Sequence, residues 1–195
     1  VGRKSDAKQR ILTSAIGLMS ERGYAGVGVD DILGDAGVGK SSFYHFFPSK
    51  ERLGVEAVAE YARRAEDSLF AAAFSADVAP LDRPSELVKR LADALDAQSP
   101  VNGCLAGAVA AGEASADMRS AADGVFGRIE RGFARAFAQA IADHDLMPSA
   151  PVANLASACV AYVYGLLLMA RTRQSSKPLR DLGPLMSAIW RPYLA

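Results

Sequence analysis

Between Gly23 and Pro48 the chain is punctuated so closely that only two short helices fit. Asp30 to Ala36 places apolar residues at helical spacing and meets Gly37, and the segment beginning near Lys40 ends before Pro48. A turn of about three residues separates the two, which is helix-turn-helix spacing. A longer helix from Asp6, the expected N-cap, to Arg22 precedes them, with Ile11, Leu12, Ala15, Ile16 and Met19 inward and Gly23 ending it.

The rest of the chain reads as helix as well. No useful length of it alternates as a β-strand does, and alanine is abundant. Ser49 is placed to cap a fourth helix reaching about Phe74, followed by a proline-flanked loop from Ser75 to Pro84. Further helices fit Ser85 to Ala97, Gly103 to Glu113, Met118 to Asp143, Val152 to Arg173 and Leu179 to Tyr193. Their connectors combine proline with Ser, Gly or Asn. The expected fold is all-α with about nine helices: a three-helix headpiece over residues 1–47 and a larger helical domain over 48–195.

Half the residues are hydrophobic and net charge is zero, so the chain is globular and any attraction to a polyanion must be local. Residues 1–50 carry seven Lys or Arg against five acids. No acid occurs from Ala36 through Lys50, where Lys40, His45 and Lys50 do, and that window suits approach to phosphate. Cys104 and Cys159 lack CxxC spacing or a histidine cluster, so neither a zinc site nor a disulfide framework is indicated, and a reducing cytoplasm is expected. The first residues have no apolar signal-peptide stretch. Leu146 to Ala170 carries no charge, but Pro148, Pro151, Asn154 and Ser157 leave about 15 strongly apolar residues, roughly 23 Å of helix against the ~30 Å of a bilayer core. No membrane association is expected, and burial between helices or subunits fits that stretch better.

Residues 34–41, Gly-Asp-Ala-Gly-Val-Gly-Lys-Ser, match the P-loop pattern at every fixed position. A P-loop needs a buried strand before it. Here Val29-Asp30-Asp31-Ile32-Leu33 puts two acids where that strand would lie, and βα alternation is absent.

The same residues, from Gly23-Tyr24 through Val29-Asp30-Asp31-Ile32, Ala36-Gly37-Val38-Gly39-Lys40 and Ser42-Phe43-Tyr44-His45-Phe46-Phe47 to Ser49-Lys50-Glu51, resemble the N-terminal pattern of the tetracycline-repressor (TetR) family. The likeness covers about 50 residues. It implies a DNA-binding transcriptional regulator in which the positions of Lys40, Ser42, Tyr44, His45 and Lys50 contact DNA. By chemistry Lys40 and Lys50 suit phosphates, and Ser41, Ser42 and Tyr44 suit base edges or further phosphates. Arg3 and Lys4 are candidates for backbone or minor-groove contact. Ile32, Ala36, Val38, Phe43 and Phe47 read as packing. Val27 and Gly28 stand where the family has Thr or Ser, and Phe46 where histidine is frequent. These departures leave open a helical ligand-binding protein without operator binding.

The resemblance also implies that the C-terminal helices sense an effector and dimerise. Val152 to Arg173 and Leu179 to Tyr193 are apolar enough to form a four-helix bundle with a second copy, and a two-fold protein reads a palindromic operator. Candidate effector contacts are Phe70, Leu91, Leu95, Cys104, Val109, Phe126, Ile129, Phe133 and Tyr162, with a hydrophobic or aromatic molecule preferred. Glu113 and His144 are a possible charged anchor and switch, although a solvated surface explains both. No cofactor, metal site or catalytic set is expected: there is no Ser-His-Asp constellation and no Glu-x-x-His pair.

Overall fold

Glycine punctuation and apolar spacing act as expected in the headpiece. The computed structural model describes residues 2–97, 101–112 and 114–195, and for residues 2–5 the backbone alone. Helix α1 (Gly2–Arg22) ends where Gly23 takes φ 74°. Helix α2 (Val29–Ala36) starts from Gly28 and ends on Gly37, which is left-handed at φ 60° and ψ 43°. Its last carbonyls are satisfied by the amides of Gly37 and Val38, donating to Gly34 and Leu33. Helix α3 (Lys40–Phe46) follows, and Ser49 Oγ accepts from the Arg52 amide to open α4 (Lys50–Ala65). The P-loop-like residues therefore span the end of α2, the turn and the start of α3, and no strand precedes them.

Counting the helical run after Ser49 and the run after Ser176 as one each, the described residues hold nine helical segments. They hold no strand beyond an antiparallel bridge between Leu146 and Leu194. The remaining helices are α5 (Ala71–Ala73), α6 (Arg83–Asp96), α7 (Leu105–Ala110), α8 (Ala116–Ala142), α9 (Val152–Arg173) and α10 (Lys177–Leu182).

Several expected boundaries move, each for a local reason. Helix α1 begins at Gly2, so Asp6 lies inside it and is no cap: nothing before Asp6 in the helix breaks it, and Arg and Lys favour helix. Helix α6 begins at Arg83 because Pro84 fits the first turn, where its missing N–H costs nothing. Helix α7 starts only at Leu105, since Gly103 is left-handed at φ 72° and Cys104 is extended at φ −99° and ψ 127°. The fourth helix widens to a π-helical turn at Glu66–Phe70 before α5 resumes. The single helix expected over Leu179 to Tyr193 is instead α10 followed by 3-10 turns at Gly183–Ile189 and Arg191–Tyr193. Pro184 and Pro192 lack the amides that an α-helix needs there.

The chain divides into two compact units, Val1–Arg64 with Asn102–Val125, and Ala65–Val101 with Phe126–Ala195. In the first, Ile11, Met19, Ile32, Phe43, Phe47, Leu53 and Met118 are fully buried, each large side chain contributing about 1.5–3 kcal/mol. In the second, Leu87, Phe133, Phe137 and Met186 form the core, and Trp190 packs 5.5 Å from Phe137. Arg83 is buried there with its charge satisfied: Nε donates to the Val78 carbonyl at 3.0 Å and Nη1 to Gln139 Oε1 at 2.9 Å.

Helix α9 runs 22 residues and holds an 18-residue window of mean hydropathy 1.8, a third of it buried, so by length and composition it reaches the size of a membrane span. The two prolines precede it, and its bounds are those expected from the sequence. Its outward face is mostly small or polar: Asn154, Ser157, Ala158, Ala161, Gly165 and Thr172, with Leu168 the large apolar exception.

Candidate nucleic-acid interface

Helix α3 has two sharply different faces. Phe43 is fully buried and its ring meets Tyr44 edge-on at 5.1 Å, while Tyr44 itself is 61% exposed. Lys40, Ser41, Ser42 and His45 are also exposed, so five of the sequence candidates lie together on one short helix. Phe46 packs edge-on against His45 at 4.8 Å and is half-buried, so at this position it serves as support for the His45 ring. The side chains of Arg3 and Lys4 lie outside the described residues, as does Glu113.

The position of α3 is fixed by its neighbours. Arg10 of α1 donates through Nη2 to the carbonyls of Ala36 and Gly37, neutralising the negative end of α2 at the turn. Ser14 Oγ donates to the Ile32 carbonyl at 3.1 Å. The ammonium of Lys8 pairs with Glu56 at 2.8 Å and lies 5.5 Å from the Phe47 ring centroid. Glu60 of α4 accepts from Gln9, Arg63 and Arg64, and Arg64 donates to Thr13, tying α4 to α1. Hydrogen bonds from Arg63 hold the Glu60 carboxyl down to about 2, with Arg64 and Gln9 adding to this against the opposing effect of burial.

Both lysine candidates already have partners. Lys40 Nζ lies 2.9 Å from Asp30 Oδ1, and that hydrogen-bonded pair raises its pKa. Lys50 is half-buried with its ammonium 4.2 Å from the Tyr24 ring centroid. Burial pulls the Lys50 pKa down and the Asp31 charge opposes this. Asp31 Oδ2 accepts the Gly28 amide at 2.7 Å, so the aspartate supplies half of a capping box where the hydroxyl expected from the family pattern is absent. Arg10, Lys8, Tyr24, Asp30 and Glu60 were missed as functional supports by sequence reading. Only Asp31 carried a local signal, three residues after Gly28.

The effector candidates fall in both units. Cys104 and Val109 belong to the first, where the Cys104 thiol hydrogen-bonds with the Tyr61 hydroxyl and the Leu105 amide serves the same oxygen. Burial, then Cys104, pushes the Tyr61 phenol well above its ordinary range. In the second unit, Phe133 is fully buried beside Phe74 at 5.6 Å, and Ile129, Leu95 and Phe70 are buried. Phe126 meets Tyr164 edge-on at 4.4 Å, Leu91 is partly exposed, and Tyr162 donates to the Leu182 carbonyl at 2.7 Å. A groove of about 760 Å³ between α6, α10 and the turn after it is lined by Asp77, Glu86, Val88, Leu179, Arg180 and Pro184 among others, and includes none of these candidates. His144 is exposed, with a left-handed backbone at φ 65° that closes α8. Among the described residues no cluster of His, Cys, Asp or Glu could hold a metal ion.

The buried-faced α3, presented by α1 and α2 with its polar face outward, defines a helix-turn-helix protein. Residues 11–58 match the family of bacterial regulatory proteins described as tetR, and residues 80–184 match the C-terminal domain of LmrA/YxaF-like transcriptional regulators. The chain is 31% identical to the transcriptional regulator AcuR of Cereibacter sphaeroides, over 90% of this chain and 81% of that protein. It is 28% identical to the transcriptional repressor NemR of Escherichia coli, over 90% and 89%. A crystal structure of a regulatory protein TetR from Rhodobacter sphaeroides superimposes with a TM-score of 0.87 at 28% identity, covering 94% of this chain and 98% of that one. The chain belongs to the tetR family of bacterial regulatory proteins. It is a ligand-responsive, DNA-binding transcriptional regulator.

Proposed function

We propose that this protein is a repressor that binds a palindromic operator as a homodimer and leaves it when a hydrophobic or aromatic molecule binds the C-terminal part. The observation that carries the reading is the exposed row on α3, Lys40, Ser41, Ser42, Tyr44 and His45, set on a helix whose other side is anchored by fully buried Phe43. In this reading Lys40 and Lys50 meet phosphates, Ser41, Ser42 and Tyr44 meet base edges or phosphates, and Arg3 and Lys4 add backbone contact. NemR carries the name of a repressor, which supports that direction of regulation.

One recognition helix covers only a few base pairs, so affinity calls for two. The outward face of α9 and the exposed Leu185 and Leu168 support α9 and the segment after it as the homodimer seam, where small residues let helices approach closely. Residues 1–47 then form the DNA-binding part and 48–195 the effector-binding and dimerising part, acting in the cytoplasm. Phe70, Leu91, Leu95, Phe126, Ile129, Phe133 and Tyr162 are the effector contacts in this reading, and their mainly apolar character favours a hydrophobic or aromatic molecule. Release requires that the effector bind the non-operator conformation more tightly.

Selection of duplexes from a random pool by the purified protein tests the reading. Enrichment of a palindrome, lost in salt and in Tyr44→Ala, is expected. A ligand-binding protein without operator binding enriches none.

A further inference from the structure

Lys40 is not idle in the unbound protein. Its ammonium lies 2.9 Å from Oδ1 and 3.2 Å from Oδ2 of Asp30, which sits ten residues earlier in the first turn of α2. The two acids of that turn divide their work. Asp31 accepts the Gly28 amide at 2.7 Å and closes the helix start, whereas Asp30 faces across the turn to α3. Both members of the pair are open to water, at 67% for the lysine side chain and 75% for the aspartate. An ion pair so exposed adds little to folding stability. Its consequence is felt when a third charge arrives. A phosphate that takes Lys40 must displace the Asp30 carboxylate, which keeps its charge and remains close to the incoming anion.

We propose that Asp30 sets the affinity of the headpiece for duplex DNA by competing with backbone phosphate for the Lys40 ammonium. The proposal rests on the reading of Lys40 as a phosphate contact. Phosphate attraction carries no sequence information, so Asp30 lowers affinity for every duplex alike and leaves base readout by α3 unchanged. Asp35 is the internal control: it is exposed on the same helix and makes no ion pair with Lys40.

Asp30→Asn, Asp35→Asn, Lys40→Ala and the double variant Asp30→Asn with Lys40→Ala are compared with the native chain. Binding is measured on a random-sequence duplex and on the palindrome selected by the native protein, with circular dichroism melts to confirm the fold. Asp30→Asn is expected to tighten both duplexes by about threefold to tenfold at low salt, and less as salt rises. Asp35→Asn is expected to have a smaller effect. Adding Asp30→Asn to Lys40→Ala is expected to tighten binding no more than Asp35→Asn does in the native chain. Equal tightening with and without Lys40 overturns the proposal, since Asp30 would then act only through net charge. So does tightening confined to the palindrome, or none at all while Lys40→Ala weakens binding. Native-like binding by Lys40→Ala removes the phosphate contact itself, a separate result that brings down the underlying reading.

Discussion

The ammonium of Lys50 rests 4.2 Å from the centroid of the Tyr24 ring, so the first residue of α4 is aimed by an aromatic side chain from the loop after α1. The charge is half-buried but not neutralised by a contacting carboxylate, since Asp31 acts on it only through space. Tyr24→Leu should lower stability by about 0.5–1 kcal/mol through the lost cation–π contact. The same change lets Lys50 wander and should weaken DNA binding. Lys50→Ala should weaken binding uniformly across sequences and reduce the slope of log affinity against log salt by about one. Titrations at several salt concentrations check both.

The turn between α2 and α3 joins two causes that a mutant cycle separates. Gly37 has φ 60°, and a Cβ there would lie 2.6 Å from Nη2 of Arg10. Gly37→Ala should therefore cost about 1–2 kcal/mol in backbone strain, plus the displacement of Arg10 from the α2 carbonyls. Arg10→Ala alone should cost about 1–2 kcal/mol by leaving those carbonyls without their charged donor. In the Arg10→Ala background Gly37→Ala should lose its steric part, so the double variant should be more stable than the summed single costs imply. Denaturant unfolding of the four proteins measures this coupling.

Glu60 ties the stability of the first unit to acid. Its folded pKa of about 2 lies below the ordinary carboxylate range of about 4.3. A depressed carboxyl contributes stability that is complete above the unfolded value and disappears as pH falls through the folded one. The stability difference between the native chain and Glu60→Gln should be constant near neutrality. It should shrink from about pH 4.5 downward and vanish near pH 2. Unfolding curves of both proteins across that range check the sign.

The two thiols should behave differently. Cys159 is fully buried in α9, and burial pushes its pKa up to about 12, so almost no thiolate exists at neutral pH. Cys104 is partly exposed. A thiol reagent should modify Cys104 in the folded protein and reach Cys159 only in denaturant, as mass spectrometry of the labelled peptides would record.

Local signals in the sequence carried the headpiece well. Gly23, Gly37 and Pro48 end helices for reasons of backbone chemistry that need no tertiary context. The bounds of α9 were legible because Pro151 precedes it and polar residues with a left-handed Gln174 follow. The π-turn at Glu66–Phe70 was not, since nothing in the local pattern of Glu-Asp-Ser-Leu-Phe breaks or widens a helix. Pro184 and Pro192 did announce the break in the last helix, and the apolar spacing across them was misleading. In the interface, exposure of α3 followed from the burial of Phe43 and Phe47. The pairings of Lys40 with Asp30 and Lys50 with Tyr24 join residues ten and twenty-six apart, and local pattern does not reveal them. The effector surface was least legible because apolar core and apolar pocket use the same residues.

The outward face of α3 is the part proposed to read DNA, and the decisive side chain on it is Tyr44. Tyr44 is exposed, so its removal need not disturb the buried Phe43 beneath it. Affinity for the selected palindrome should fall by about tenfold or more in Tyr44→Ala, in line with the ~1–3 kcal/mol carried by a specific contact, while the melting temperature stays near that of the native chain. A folded Tyr44→Ala protein that binds the palindrome as tightly as the native one would show that this face does not read DNA.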